Sequence, residues 1–236
     1  MSGGIRSHPN PALRGWRFAD GVPAPNLLYR AFRRILHVSF AAIWKPRVFN
    51  RHLEPARGGA VYICNHQSFL DPVLMSLALS RPMNYMARDS LFRLPGFGRL
   101  IRTLNAFPVR RGTADRAALK EAMARVQAGG QVVVFAEGTR TTNGRIAEFL
   151  PGVALLAQRS AEWTVPVVID GAYEAWPRTQ MLPSPGNIVV RYARPIHRDE
   201  AREMDPEAFI NHVRDVIVEM QTDVRRRAGR PALKYD

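Results

Sequence analysis

Three short, predominantly apolar runs constrain this chain more than anything else in it: AVYIC (60–64), QVVVFA (131–136) and WTVPVVID (163–170). Each is shorter than a buried helix and lacks the alternation of a strand with one wet face. Each therefore reads as a strand covered on both sides. Between them lie helical patterns. Asp71-Pro72 opens a helix to about Leu79, Thr113 caps one that runs to Gln127 and stops at Gly129-Gly130, residues 150–161 read as another, and Asp205-Pro206 opens a last one to about Arg227. Asn84–Ala87, Ala106–Val109 and NIVVRYA (187–193) read as further strands, and Pro95, Gly96 and Gly98 as a turn. Pro166 cannot donate to a ladder, which suggests a sheet edge or a strand start there. Alternating strands and helices imply an α/β fold: a mixed, largely parallel central sheet flanked by helices.

The N-terminal fifth differs. Residues 1–25, rich in Gly, Pro and Arg, read as an irregular arm, followed by a helix over 26–44. Arg30, Arg33, Arg34 and His37 form one basic stripe on it, with Leu28, Phe32, Ile35, Leu36, Phe40 and Ile43 on the other side. With the basic arm before it, such a helix suits a membrane interface; the alternative is a terminal helix packed on its own domain, its arginines solvated. The expected division is 1–50, a basic arm with an amphipathic membrane-associating helix, and 51–236, the main domain.

Charge narrows the partners. The net charge is +14, and residues 1–51 hold nine basic residues against Asp20 alone. Such a surface attracts nucleic acid, anionic lipid or phosphorylated substrates. An apolar content of 46% and a charged content of 23% exclude a disordered or collagen-like chain. A single cysteine, Cys64, excludes an internal disulfide and fits a reducing compartment. The N-terminus lacks a signal-peptide core, and no window of about 18 apolar residues suggests a spanning helix.

Four segments carry chemistry. In Asn65-His66-Gln67-Ser68-Phe69-Leu70-Asp71, His66 follows a buried strand and Asp71 opens the next helix. An aspartate on Nδ1–H would leave Nε2 free as a base, but the pair meets only if the loop curls back. Otherwise His66 is a surface residue and Asp71 a helix cap. Ser68 lacks a nucleophile elbow and Cys64 reads as buried packing, so neither is expected to be a nucleophile. Arg110 and Arg111 end the Phe107-Pro108-Val109 strand, either as a forked phosphate clamp or as solvated charges. Glu137-Gly138-Thr139-Arg140 follows the QVVVFA strand. There Gly138 lets backbone N–H groups approach an anion, Thr139 adds a hydroxyl and Arg140 adds charge. Glu137 would brace an arginine, bind a substrate hydroxyl or form a plain ion pair. The fourth segment, Val165-Pro166-Val167-Val168, reads mainly as core.

In this order the four segments resemble the glycerolipid acyltransferase family, of which 1-acylglycerol-3-phosphate acyltransferases are typical bacterial members. The H-x4-D block is Asn65–Asp71, F-x-x-R is Phe107–Arg110, E-G-T-R is Glu137–Arg140 and V-P-V-V is Val165–Val168. Tyr173-Glu174-Ala175-Trp176-Pro177 also looks like a subset of bacterial members. The resemblance implies that His66 is the general base on an acceptor hydroxyl and that Asp71 orients it. It further implies direct attack on an acyl thioester, with Arg110 and the Glu137–Arg140 loop holding a glycerophosphate. The donor would be acyl-CoA or an acidic acyl-carrier protein, with no metal or redox cofactor. The enzyme would act peripherally on anionic lipid at the cytoplasmic face of the cell membrane. Many members carry a lysine just before a Gly after E-G-T-R. Here the stretch is Glu148-Phe149-Leu150-Pro151-Gly152, so Arg145 would have to substitute. Lysophosphatidate is the foremost acceptor, with another lysolipid, such as an acylated amino-acid lipid, left open. The rival readings are a nucleic-acid binder, for which no zinc-finger or RNP-type motif is present, a serine or cysteine hydrolase, and a lipid-binding protein without catalysis.

Overall fold

The computed structural model describes residues 17–19, 22–24, 27–44, 46–110 and 115–235. In chain order these form β1 (Arg17–Ala19), β2 (Val22–Ala24), α1 (Leu27–Ile43), β3 (Arg47–Phe49), β4 (Ala60–Cys64), α2 (Asp71–Ala78), β5 (Met83–Arg88), α3 (Phe97–Thr103), β6 (Ala106–Val109) and α4 (Arg116–Gln127). There follow β7 (Gln131–Phe135), α5 (Pro151–Ser160), β8 (Trp163–Asp170), α6 (Ala172–Ala175), β9 (Val189–Tyr192), β10 (Ile196–His197), α7 (Arg198–Arg202) and α8 (Pro206–Arg227).

The main sheet runs β3-β9-β8-β4-β7-β5-β6, with β10 also on β8. The pairs β3–β9, β4–β7, β4–β8, β5–β6 and β5–β7 are parallel, whereas β8–β9 and β10–β8 are antiparallel. The sheet is thus mixed and largely parallel, as the sequence implies. All five residues of β4 are buried because both its faces are covered. Val61 and Ile63 point into a core with α4, α5 and α8, while Ala60, Tyr62 and Cys64 point into one with α1 and α2. Each fully buried Val or Ile stabilises by about 1.5–3 kcal/mol, so the unalternating runs position β4 and its neighbours firmly.

Several sequence expectations are corrected. β8 lies inside the sheet, not at its edge. Its antiparallel partner changes from β9, opposite 167–170, to β10, opposite 163–164, and Pro166 sits at that break. The carbonyl of Pro166 accepts from Ala193 N at 2.9 Å, so its missing donor faces the gap between partners. Thr113, the expected cap of α4, lies outside the described residues; Asp115 caps that helix, accepting from Ala118 N. Residues 17–19 and 22–24, within the arm expected to be irregular, form a two-stranded antiparallel ribbon.

Helix α1 divides its apolar residues between two faces. Phe40 and, just past the helix, Trp44 are buried against the α2 side of the sheet, and the buried Tyr29 hydroxyl accepts from Met83 N at 3.4 Å. Arg33, expected on the basic stripe, donates to the carbonyls of Leu79 and Ser80, and Trp44 Nε1 donates to Ser184 O at 2.8 Å. Ile35 and Val38 remain 63% and 68% exposed. The side chains of Leu28, Phe32 and His37 lie outside the described residues.

Candidate active site

Register brings the site together. Cys64 at the end of β4 is level with Phe135 of β7 and with Val167 of β8. His66 and Glu137 each lie two residues beyond their strands, so both emerge at the carboxyl edge of the sheet, where α/β folds bind ligands. Three hydrogen bonds join the two loops. Ala136 N donates to Cys64 O at 3.0 Å, Thr141 N to His66 O at 2.8 Å, and His66 N to Glu137 Oε1 at 2.6 Å.

The loop after β4 curls back on Asp71. Asp71 Oδ2 accepts from His66 Nδ1 at 2.7 Å, Gln67 N at 2.6 Å and Ser68 N at 2.8 Å. The residue preceding α2 makes no side-chain cap, and the Asp71 carboxylate faces the loop rather than serving as an ordinary helix cap. Asp71 is 0% exposed and His66 5%. A carboxylate buried so completely is retained only against compensating donors. The imidazole also stacks on Phe135, with ring centroids 4.3 Å apart and planes at 19°. With Nδ1–H donated to Asp71, the lone pair of Nε2 is left to accept a proton.

Glu137 gives both carboxylate oxygens to backbone N–H groups, not to the plain ion pair that was one of its three readings. Its Oε1 takes His66 N and its Oε2 takes Ala147 N at 2.9 Å. Burial pushes its carboxyl up to about 7, opposed by those two backbone donors. It is a brace that spans three loop segments. Gly138, at φ 68°, makes the turn, and its own N–H is taken by Phe135 O at 3.0 Å. It contributes the left-handed geometry, not a donor for an anion. The Arg140 guanidinium lies over the Phe69 ring at 3.5 Å, and Phe69 in turn meets Trp176 at 5.3 Å.

The remaining sequence candidates separate. Ser68 Oγ donates to Trp176 O at 2.8 Å, holding the loop. Cys64 is wholly buried, and burial pushes its thiol well up, away from a reactive thiolate. Arg110 directly follows β6, which lies three strands from β4, roughly 14 Å across the sheet at the usual strand spacing. Its Nε lies 3.6 Å from Asp115 Oδ2. Arg111 lies outside the described residues.

Sequence reasoning missed three supports. Asn65 exchanges two 2.8 Å hydrogen bonds with the backbone of Ile169, locking the loop to β8. Gln67 Oε1 accepts from Ala172 N and Tyr173 N. Both sit in the H-x4-D block, and polar residues directly after a buried strand were the available signal. The third is a cleft of about 400 Å³ beside the Glu137–Arg140 turn, lined by Arg140, Arg145, Arg178, Arg214, Lys234 and Tyr235 among others. No local pattern marks Arg178, Arg214 or Lys234.

Comparison with known proteins adds an independent finding. Residues 45–170, more than half of the chain, match the Acyltransferase family. A 1-acyl-sn-glycerol-3-phosphate acyltransferase of Cocos nucifera is 30% identical, with 73% of this chain and 56% of that protein covered. A chloroplastic one of Arabidopsis thaliana is 27% identical, covering 82% of this chain and 56% of that protein. The chain thus spans a little over half the length of these two relatives. The crystal structure of the 1-acyl-sn-glycerophosphate acyltransferase PlsC of Thermotoga maritima shares the fold with a TM-score of 0.74. It is 23% identical, covering 84% of this chain and 79% of that one.

Proposed function

The chain belongs to the acyltransferase family, and from that premise we propose that it moves a fatty acyl group from a thioester donor to the free hydroxyl of a lysolipid, foremost 1-acylglycerol 3-phosphate. The observation that carries the reading is the 2.7 Å bond between His66 Nδ1 and Asp71 Oδ2, on an oxygen also fixed by two backbone donors. In the proposed reaction His66 Nε2 takes the hydroxyl proton, and the oxygen attacks the thioester carbonyl carbon. The C–S bond then breaks, the ester forms, and the departing sulfur receives the proton from the imidazolium. General-base help of this kind contributes about 10²–10⁴-fold. Acyl-CoA or an acyl-carrier protein supplies the acyl group, and the scheme calls on no metal or redox cofactor.

The place of action follows from the lipid acceptor. No helix among the described residues is long and apolar enough to cross a membrane. Exposed Leu27, Ile35 and Val38 on α1, beside exposed Arg30 and Arg34, would seat the enzyme peripherally on anionic lipid at the cytoplasmic face. The test is a panel of lysophosphatidate and other lysolipids with both donor types, analysed by mass spectrometry. The reading expects a diacyl product with lysophosphatidate and no acyl group left on the protein. A covalent acyl-enzyme, or no acylated lipid with any pair, contradicts it.

A further inference from the structure

The chain beyond α8 turns back toward the loop that braces His66. Gly229, at φ 65°, makes the reversal, and Arg230 N donates to Arg225 O at 2.9 Å. The returning segment is fixed at two points. Arg225 Nε donates to Pro231 O at 2.8 Å, and Arg230 Nη1 donates to Asp170 Oδ2 at 2.7 Å. Asp170, the buried last residue of β8, also accepts from Arg225 Nη1 at 3.1 Å. Because β8 runs parallel to β4, that anchor lies at the same edge of the sheet as His66 and Glu137.

Tyr235 is where the segment meets the loop. Its hydroxyl accepts from Ile146 N at 3.2 Å and donates to Gln221 Oε1. The buried Gln221 donates in turn to Gly144 O at 3.1 Å and to Asp170 Oδ1 at 3.3 Å. Residues 136–150 form neither helix nor strand, so no ladder holds their backbone groups. Side chains do so instead. Arg214 fixes the carbonyls of Ile146 and Ala147 at 3.2 and 3.0 Å, Tyr235 takes the N–H of Ile146, and Glu137 Oε2 takes that of Ala147 at 2.9 Å. Glu137 Oε1 then holds His66 N at 2.6 Å. Without the hydroxyl, the N–H of the buried Ile146 has lost its acceptor. The turn then shifts to find another, and Ala147 N moves off Glu137. A base displaced by a fraction of an ångström from its proton loses rate steeply.

We infer that Tyr235 is a positioning residue for the general base: its hydroxyl holds the Ile146–Ala147 turn, the turn holds the Glu137 carboxylate, and the carboxylate holds the backbone of His66. Tyr235 and Gln221 both lie outside the matched residues 45–170. The effect on rate rests on the acyl-transfer reading; the hold on the turn does not. The test compares the full chain as wild type, as Tyr235→Phe and as Gln158→Ala. The last is a control for lost stability alone, since Gln158 Nε2 bonds to Ala201 O and Met204 O at 2.7 and 3.0 Å, away from the relay. Residue-resolved amide hydrogen exchange is read beside kcat and KM. In Tyr235→Phe, exchange at Ile146, Ala147 and His66 rises about tenfold or more, the rate equivalent of one hydrogen bond, while the amides of β4 from Val61 to Cys64 keep wild-type rates. Its kcat falls about tenfold or more, with KM within about threefold. Gln158→Ala lowers the melting temperature and leaves kcat and the three amides within about threefold of wild type. Wild-type protection of Ala147 and His66 in Tyr235→Phe, an unchanged kcat, or an equal loss of kcat in Gln158→Ala overturns the inference. Should wild type acylate no lysolipid, the functional reading falls by itself. Exchange at Ala147 and His66 then decides the hold: raised in Tyr235→Phe it stands, unchanged it is overturned.

Discussion

Replacing Asp71 with asparagine keeps the shape of the turn and removes its charge. The amide oxygen can still accept from Gln67 N and Ser68 N, now at 2.6 and 2.8 Å from the carboxylate. What disappears is the attraction between that carboxylate and the imidazolium formed when His66 takes a proton. With the N···O contact at 2.7 Å and charge centres about 4 Å apart, Coulomb's law gives about 4 kcal/mol at an effective dielectric of about 20. That corresponds to roughly a 10³-fold fall in kcat. Because the attraction develops only as the proton moves, KM should stay within about threefold of wild type. Asp71 Oδ1 lacks a hydrogen-bond partner among the described side chains. The new amide N–H₂ is therefore buried without an acceptor, at a cost of about 1–3 kcal/mol. The assay follows thiol release from the thioester under saturating lysolipid, below the variant's melting temperature. An Asp71→Asn protein that is folded and retains kcat within about threefold refutes the reasoning.

Other expectations follow from the same geometry. Glu137 titrates near 7 in the folded chain against an ordinary 4.5. Folding therefore retains its proton, and stability falls as pH rises between those values, by up to about 3 kcal/mol. Urea unfolding at pH 5 and pH 8 should show that loss in wild type and a smaller one in Glu137→Gln; equal losses contradict the assignment. Ser68→Ala and Cys64→Ala should keep kcat within about tenfold, since the hydroxyl bridges to Trp176 and the thiol is buried packing. A loss beyond about 10² in either would indicate a nucleophile. The Ile35→Gln/Val38→Gln pair, on the exposed face of α1, should reduce sedimentation with anionic vesicles while leaving the melting temperature unchanged. Undiminished sedimentation removes that face from the membrane contact.

Much of the sheet was legible because a strand covered on both faces must be almost wholly apolar, and AVYIC and, after Gln131, VVVFA are. Pro166 was misplaced because a sequence shows the missing donor but not the change of partner strand that makes it harmless. Asp71-Pro72 reads as a helix opening, which it is. The direction of the carboxylate was hidden, because it depends on a loop closing over three donors at once. Glu137 stood out in its motif, yet its role as a brace between His66 and Ala147 depends on register across two strands. The basic stripe of α1 was visible, whereas the division of its apolar residues between the domain and solvent was not. Arg178, Arg214 and Lys234 were beyond reach, being widely separated in the chain and joined only by folding.

The claim on which the account turns is that the imidazole of residue 66 removes the acceptor's proton. Its most direct test is the kcat of acyl transfer to lysophosphatidate by wild type and by His66→Ala, with a retained melting temperature as the check on folding. The account predicts a fall of about 10²-fold or more with the melting temperature preserved. Transfer by His66→Ala at the wild-type rate would contradict it.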